Sequence, residues 1–180
     1  MWRIVALIVI AALTRIFSLN MPNFTPMLAI GLIGALYLSG YKKYLIPIGA
    51  WLLSDLMIEV LYRLGLWTHG GLHEGMPFIY LTFALIILFS EKVIKKSSWT
   101  RIVLGSFGAS VIFFILTNFY VWLVSGMYPH TPQGLILAYE AALPFFKNTL
   151  LSTVLYSSIM YGIILLTAKN VQTKYTITKS

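Results

Sequence analysis

Six stretches of the chain, residues 2–19, 24–38, 45–67, 78–94, 102–125 and 149–168, are apolar almost throughout, and short polar connections separate them. A helix needs about 20 predominantly apolar residues to cross the hydrocarbon core of a bilayer. The pattern therefore predicts an all-α integral membrane bundle of six transmembrane helices, forming one domain over residues 1–180. The second stretch is short. The fourth reaches full length only by taking in Glu91 and Lys92, whose long side chains snorkel to the interface. Between the last two stretches, residues 131–146 are apolar but bracketed by Pro132 and Pro144. That leaves about eleven residues, roughly 17 Å of helix at 1.5 Å per residue. Such a piece is too short to cross, so an interfacial or re-entrant helix is expected over residues 133–143, ahead of the last span.

Charge falls in phase with this pattern. Arg3 precedes the first span; Lys42 and Lys43 lie between the second and third; Lys92, Lys95, Lys96 and Arg101 lie between the fourth and fifth; Lys169, Lys174 and Lys179 follow the sixth. The opposite connections hold no cation except Lys147. Cytoplasmic loops carry the excess of Lys and Arg, so the alternation predicts a multi-pass protein of the bacterial cytoplasmic membrane with both termini inside. A signal peptide is the other reading of the first stretch. Arg15 interrupts the region where cleavage would fall and apolar residues resume at Ile16, so the stretch is read as a retained span.

Composition agrees. The chain is 59% hydrophobic and 10% charged, with a mean hydropathy of +0.85, whereas soluble domains average about 45–50% apolar and about 25% charged. The net charge of +8 suggests nucleic acid at first sight. Its placement in short clusters between apolar runs matches loops facing an anionic leaflet instead, so the expected partner is the lipid bilayer and not nucleic acid. The chain has no cysteine, which removes thiolate chemistry and cysteine metal sites. No GxxxxGK[ST], HExxH or GxSxG string is present, so neither ATP hydrolysis on a P-loop nor a common hydrolase mechanism is expected, and no cofactor is implied.

Charges inside a membrane are costly enough that each is a functional candidate until a partner is found. Arg15 and Asp55 each lie about twelve residues, roughly 18 Å of helix, beyond a cation at the basic end, which puts them at similar depth. They form either an anchor for a ligand or a pair joining two helices. Asp55, Glu59 and Arg63 stand at i, i+4 and i+8, along one helix face. Either Glu59 pairs with Arg63 or both reach interfacial water. His69, His73 and Glu74 share one connection and His130 lies in the next; they can titrate or bind zinc, but the spacing lacks a closed ligand set, and no metal is assigned. Asn118 and Trp122 are one helical turn apart, able to offer an orienting amide and a stacking surface, or to belong to interhelical packing and an aromatic belt. Candidate substrate-binding residues are therefore Arg15, Asp55, Glu59, Asn118, Trp122, His130 and Lys147. Gly31, Ala35 and Ser39, and Gly105 with Ala109, recur every four residues and suit either internal helix packing or docking of another subunit.

The strings Asn23-Phe24-Thr25-Pro26, Leu53-Ser54-Asp55, Thr117-Asn118-Phe119, Met127-Tyr128-Pro129-His130-Thr131 and Ala142-Leu143-Pro144-Phe145-Phe146-Lys147-Asn148-Thr149-Leu150 resemble those of an uncharacterised family of small bacterial membrane proteins labelled as transport proteins. The resemblance covers nearly the whole chain. The six-helix layout is in turn similar to the substrate-binding S components of energy-coupling-factor vitamin transporters. That similarity implies a protein that binds a small, vitamin-like solute from outside under mobile outer loops and works with a separate ATPase and transmembrane coupling module. The expected function is thus a substrate-binding subunit for small-solute uptake. A membrane-embedded enzyme using Asp55, Glu59 and the histidines, or a non-catalytic assembly partner, are the other classes.

Overall fold

Residues Met27–Tyr37 carry no charge and no strong helix breaker, and they form the shortest of the six α-helices among the described residues. In this computed structural model, which describes residues 2–94 and 98–177 and side chains through residue 168, that helix is the hub. The side chains of Lys95, Lys96, Lys169, Lys174 and Lys179, on which part of the charge alternation rests, lie outside the described residues. The elements are α1 (Trp2–Thr14), continued by a 3-10 turn (Arg15–Ser18), α2 (Met27–Tyr37), α3 (Lys42–Arg63), α4 (Met76–Val93), α5 (Trp99–Val124) and α6 (Pro132–Ile177). All nine residues from Met27 to Ala35 are buried. A helix that is apolar on every side is stable only when surrounded, and α2 touches each of the other five helices.

Close approach to α2 depends on its glycines. A Cβ on Gly31 would meet the Phe83 ring of α4 at 2.5 Å, so only glycine lets α4 lie this close. Ala35 is buried, Ala109 is fully buried, and a Cβ on Gly105 would meet Ile94 at 2.4 Å. These small residues serve internal packing; Ser39 is exposed.

Helices α5 and α6 run antiparallel side by side. Trp99 meets Tyr161 with ring centroids 4.9 Å apart, Ser106 Oγ lies 2.7 Å from Ser157 Oγ, and Phe114 meets Phe146 at 4.8 Å and Tyr139 at 5.5 Å. The pairing runs past Pro144. Residues 133–143 therefore form no separate interfacial helix; they are the first turns of α6, which is continuous through Pro144. The reason lies in the periodicity of the buried face. Ala138, Ala142, Thr149, Ser152, Thr153, Ser157 and Met160 follow one helical stripe on both sides of the proline, while Pro144 itself is exposed. Packing against α5, including a hydrogen bond from the Tyr139 hydroxyl to the Ile115 carbonyl at 2.9 Å, offsets the backbone bond that proline removes.

Among the described residues, four helices are long and apolar enough to cross a bilayer: α3, α4, α5 and residues Pro132–Ala168 of α6. Only 28–33% of each apolar window is buried inside the protein. The outward remainder includes Leu81, Leu104, Phe107 and Ile136, a surface too apolar for water to cover cheaply. With alternating helix directions, the start of α3 and the end of α4 share one end, where Lys43 donates to Glu91 at 2.6 Å. We call this the basic end. Residues 19–26, 64–75 and 125–131 gather at the other, the loop end.

Candidate functional site

The site begins where α1 tightens. Thr14 donates its hydroxyl to the Ala11 carbonyl at 2.7 Å, and the chain enters the 3-10 turn that projects Arg15. Arg15 Nη1 donates to Asp55 Oδ1 and to Ser54 Oγ, the latter at 2.9 Å. Ser54 Oγ in turn donates to the Trp51 carbonyl at 2.7 Å. Asp55 Oδ2 accepts from the Tyr80 hydroxyl at 2.6 Å, and the Trp51 ring stands edge-on to Tyr80 and Phe83, with centroids 6.0 and 4.7 Å away. Two opposite charges of similar depth thus meet as a neutral pair, the usual solution inside a membrane. The partners are not equivalent: the Asp55 side chain is 5% exposed and that of Arg15 20%.

That exposure opens onto a cavity of about 200 Å³ toward the loop end. Arg15, Asn23, Thr25, His73, Thr149, Ser152 and Thr153 supply its polar wall, and Met27, Leu28, Trp51, Ile79 and Phe113 its apolar one. Asn23 holds a positive φ of 59°, a left-handed conformation that asparagine tolerates better than most residues. The non-helical segment 19–26 is tied to α6, where Asn148 Nδ2 donates to the Pro22 carbonyl at 2.9 Å. Irregular backbone at membrane depth is tolerated where it is packed in protein or lines a cavity. A second cavity of about 50 Å³ adjoins the first, sharing Asn23, Phe113 and Thr149.

The loop over this region rests directly on α3. A Cβ on Gly71 would lie 1.9 Å from the Asp55 carbonyl oxygen, so the backbone of the loop touches the helix at the turn that carries the ion pair. Glu59 accepts from Arg63 at 2.8 Å and from the Leu72 N–H at 3.3 Å, so it pairs locally, anchors this loop and lines neither cavity. His73 stands exposed at the mouth of the larger cavity.

The other candidates separate. Asn118 lines the smaller cavity, but its amide donates to the Phe114 carbonyl of its own helix at 2.7 Å. Trp122 donates to the Pro129 carbonyl at 2.9 Å and packs against Phe119 and the His130 ring, 5.4 and 5.5 Å away, so Trp122 and His130 close the 125–131 turn. Lys147 is exposed and lines neither cavity. His69 contacts Thr68 at 2.7 Å, and among the described residues no three His, Asp or Glu side chains converge as a metal site. Trp51, Tyr80, Phe113, Ser152 and Thr153, uncharged residues of apolar stretches, are not among the sequence candidates. A signal existed for two of them: Thr149, Ser152, Thr153 and Ser157 form a polar stripe at helical spacing inside an apolar helix.

An all-α bundle with four helices long and apolar enough to span a bilayer, built around an enclosed ion pair, has the make-up of an integral membrane protein. The chain belongs to a family of unknown function (DUF6580), whose family model matches residues 1–175. No curated protein and no solved structure matches it.

Proposed function

We propose that this protein is the substrate-binding membrane subunit of an uptake system for a small solute, with six passes, both termini in the cytoplasm and the loop end facing outward. The observation that carries the reading is the cavity of about 200 Å³, in which polar groups from the 3-10 turn after α1, the 19–26 segment, the 64–75 loop and α6 converge beside an apolar wall. Convergent polar groups in an otherwise apolar concavity are the usual form of a ligand site. The volume lies below the about 300–1,000 Å³ typical of drug-sized ligands, which suits a small solute. On this reading α1 with its 3-10 turn forms the first pass. The second is α2 together with residues 24–26, which need not meet lipid because α2 is enclosed by its neighbours. Release to the inside then requires a separate coupling module, because the chain carries no phosphate-binding loop.

Native mass spectrometry of gently solubilised protein tests this. A small molecule should co-purify, and a variant that fills the cavity, Thr153→Phe, should lose it. Empty wild-type protein, prepared from cells grown in rich medium, that also gains no thermal stability from a broad solute library would overturn the reading.

A further inference from the structure

The hydrogen-bonding directions left open in the cavity define the solute. Arg15 spends only Nη1 inside the protein; among the described residues Nε and Nη2 have no partner. The side-chain amide of Asn23 is also uncommitted; its backbone carbonyl lies 3.5 Å from Ser152 Oγ, the more distant of the two acceptors that share the one Ser152 hydroxyl proton. On α6 the situation is reversed. The hydroxyl protons of Thr149, Ser152 and Thr153 go to helix carbonyls at 3.0, 3.1 and 2.6 Å. A hydroxyl that has donated its proton offers lone pairs, so this wall accepts. The guanidinium is the one formally charged side chain on the lining of the cavity, and Asp55 already balances it. A polyanion such as phosphate would bring more negative charge than this wall compensates, and a simple cation would find no free carboxylate.

We infer that the cavity takes a small monocarboxylate bearing N–H or O–H donors, an amino or hydroxy carboxylic acid, with its carboxylate on Arg15 and Asn23, its donors on the α6 hydroxyls and its body against the apolar wall that Trp51 and Phe113 share. This rests on the binding role proposed above and names the chemistry of the ligand. A planar carboxylate matches the parallel Nε–H and Nη2–H of the edge that the guanidinium has left, an arrangement suited to a bidentate contact. The neighbouring Asp55 keeps the site neutral when empty, so an anion is drawn by directed hydrogen bonds more than by net charge.

The test uses purified protein in lipid nanodiscs and two matched probe sets: 4-aminobenzoate, benzoate and aniline, and 5-aminopentanoate, pentanoate and pentylamine, with inorganic phosphate alongside. Thermal stabilisation is titrated for each, and any co-purified solute is identified by mass. The amino acid member of a set should bind about tenfold or more tighter than the member lacking the carboxylate, the effect of losing a hydrogen bond to a charged group, and about threefold or more tighter than the member lacking the amine, and phosphate should not stabilise. Asn23→Gly preserves the positive-φ backbone while removing the amide, and should weaken carboxylates alone. Thr153→Val removes one acceptor and should bring 4-aminobenzoate toward benzoate without changing benzoate. Preference for the amines, for phosphate, or for no member over another overturns the ligand class while leaving a binding role intact, as does a co-purified solute lacking a carboxylate. Absence of any bound probe or solute removes the binding role itself.

Discussion

Tyr80 on α4 donates its hydroxyl to the Asp55 carboxylate oxygen that Arg15 leaves free, at 2.6 Å, so one acid on α3 holds the turn after α1 and the helix after the loop together. Removing the phenolic oxygen alone should be modest. An average interhelical hydrogen bond in a membrane protein contributes about 0.6 kcal/mol, but the acceptor here is charged and enclosed, so Tyr80→Phe is expected to destabilise by about 1.5 kcal/mol. Thermal unfolding in nanodiscs measures it.

Breaking the pair itself should be worse. Truncating one member of a buried ion pair typically costs about 3–5 kcal/mol because the other charge is stranded. Asp55→Asn and Arg15→Gln should each lower the melting temperature strongly, and the double variant should recover part of the loss. Strictly additive losses would contradict the contact.

The loop contact at Gly71 gives a sharper steric test. A Cβ there would sit 1.9 Å from the Asp55 carbonyl, so Gly71→Ala should destabilise by about 1–3 kcal/mol, the range for overpacking, and should raise protease sensitivity within residues 64–75. Gly49→Ala is the control. Nothing lies within 4 Å of its Cβ, and alanine inside a helix gains about 0.5–1 kcal/mol over glycine.

Orientation can be read without background, because the chain contains no cysteine. Leu72→Cys and Gln133→Cys should react with an impermeant maleimide added outside intact cells, whereas Tyr41→Cys and Thr100→Cys should react only after permeabilisation. All four positions are exposed. The reverse pattern, or Leu72 and Gln133 reacting from opposite sides, contradicts the six-pass topology.

Trp122 and Asn118 should behave as structural residues. Trp122→Phe removes the bond to the Pro129 carbonyl and is expected to loosen the 125–131 turn at a cost of about 1 kcal/mol, with ligand retention unchanged. Asn118→Ala should likewise leave retention intact, since Asn118 lies outside the lining of the larger cavity and its Nδ2 donates to its own helix. Loss of ligand in the Asn118 variant would place the solute in the smaller cavity instead.

The amino-acid sequence alone determined the features that depend on composition and period: an all-helical chain, apolar stretches of membrane length, and Arg15 and Asp55 set at one depth by equal offsets from the basic end. Each follows from hydrophobic transfer and the 1.5 Å helical rise, which are local quantities. Tertiary structure decided the rest. Pro144 looked like a boundary because proline deletes a backbone bond, yet α5 packs alongside and the helix continues through it. Asn118 and Trp122 share a helix face, but one lines a cavity and the other closes a turn, because the 125–131 segment folds back onto Trp122. Tyr80 and Phe113 were chemically unremarkable in sequence. They became a site when α2 sat at the centre and drew helices distant in the chain around one space, and no local propensity encodes that arrangement of contacts.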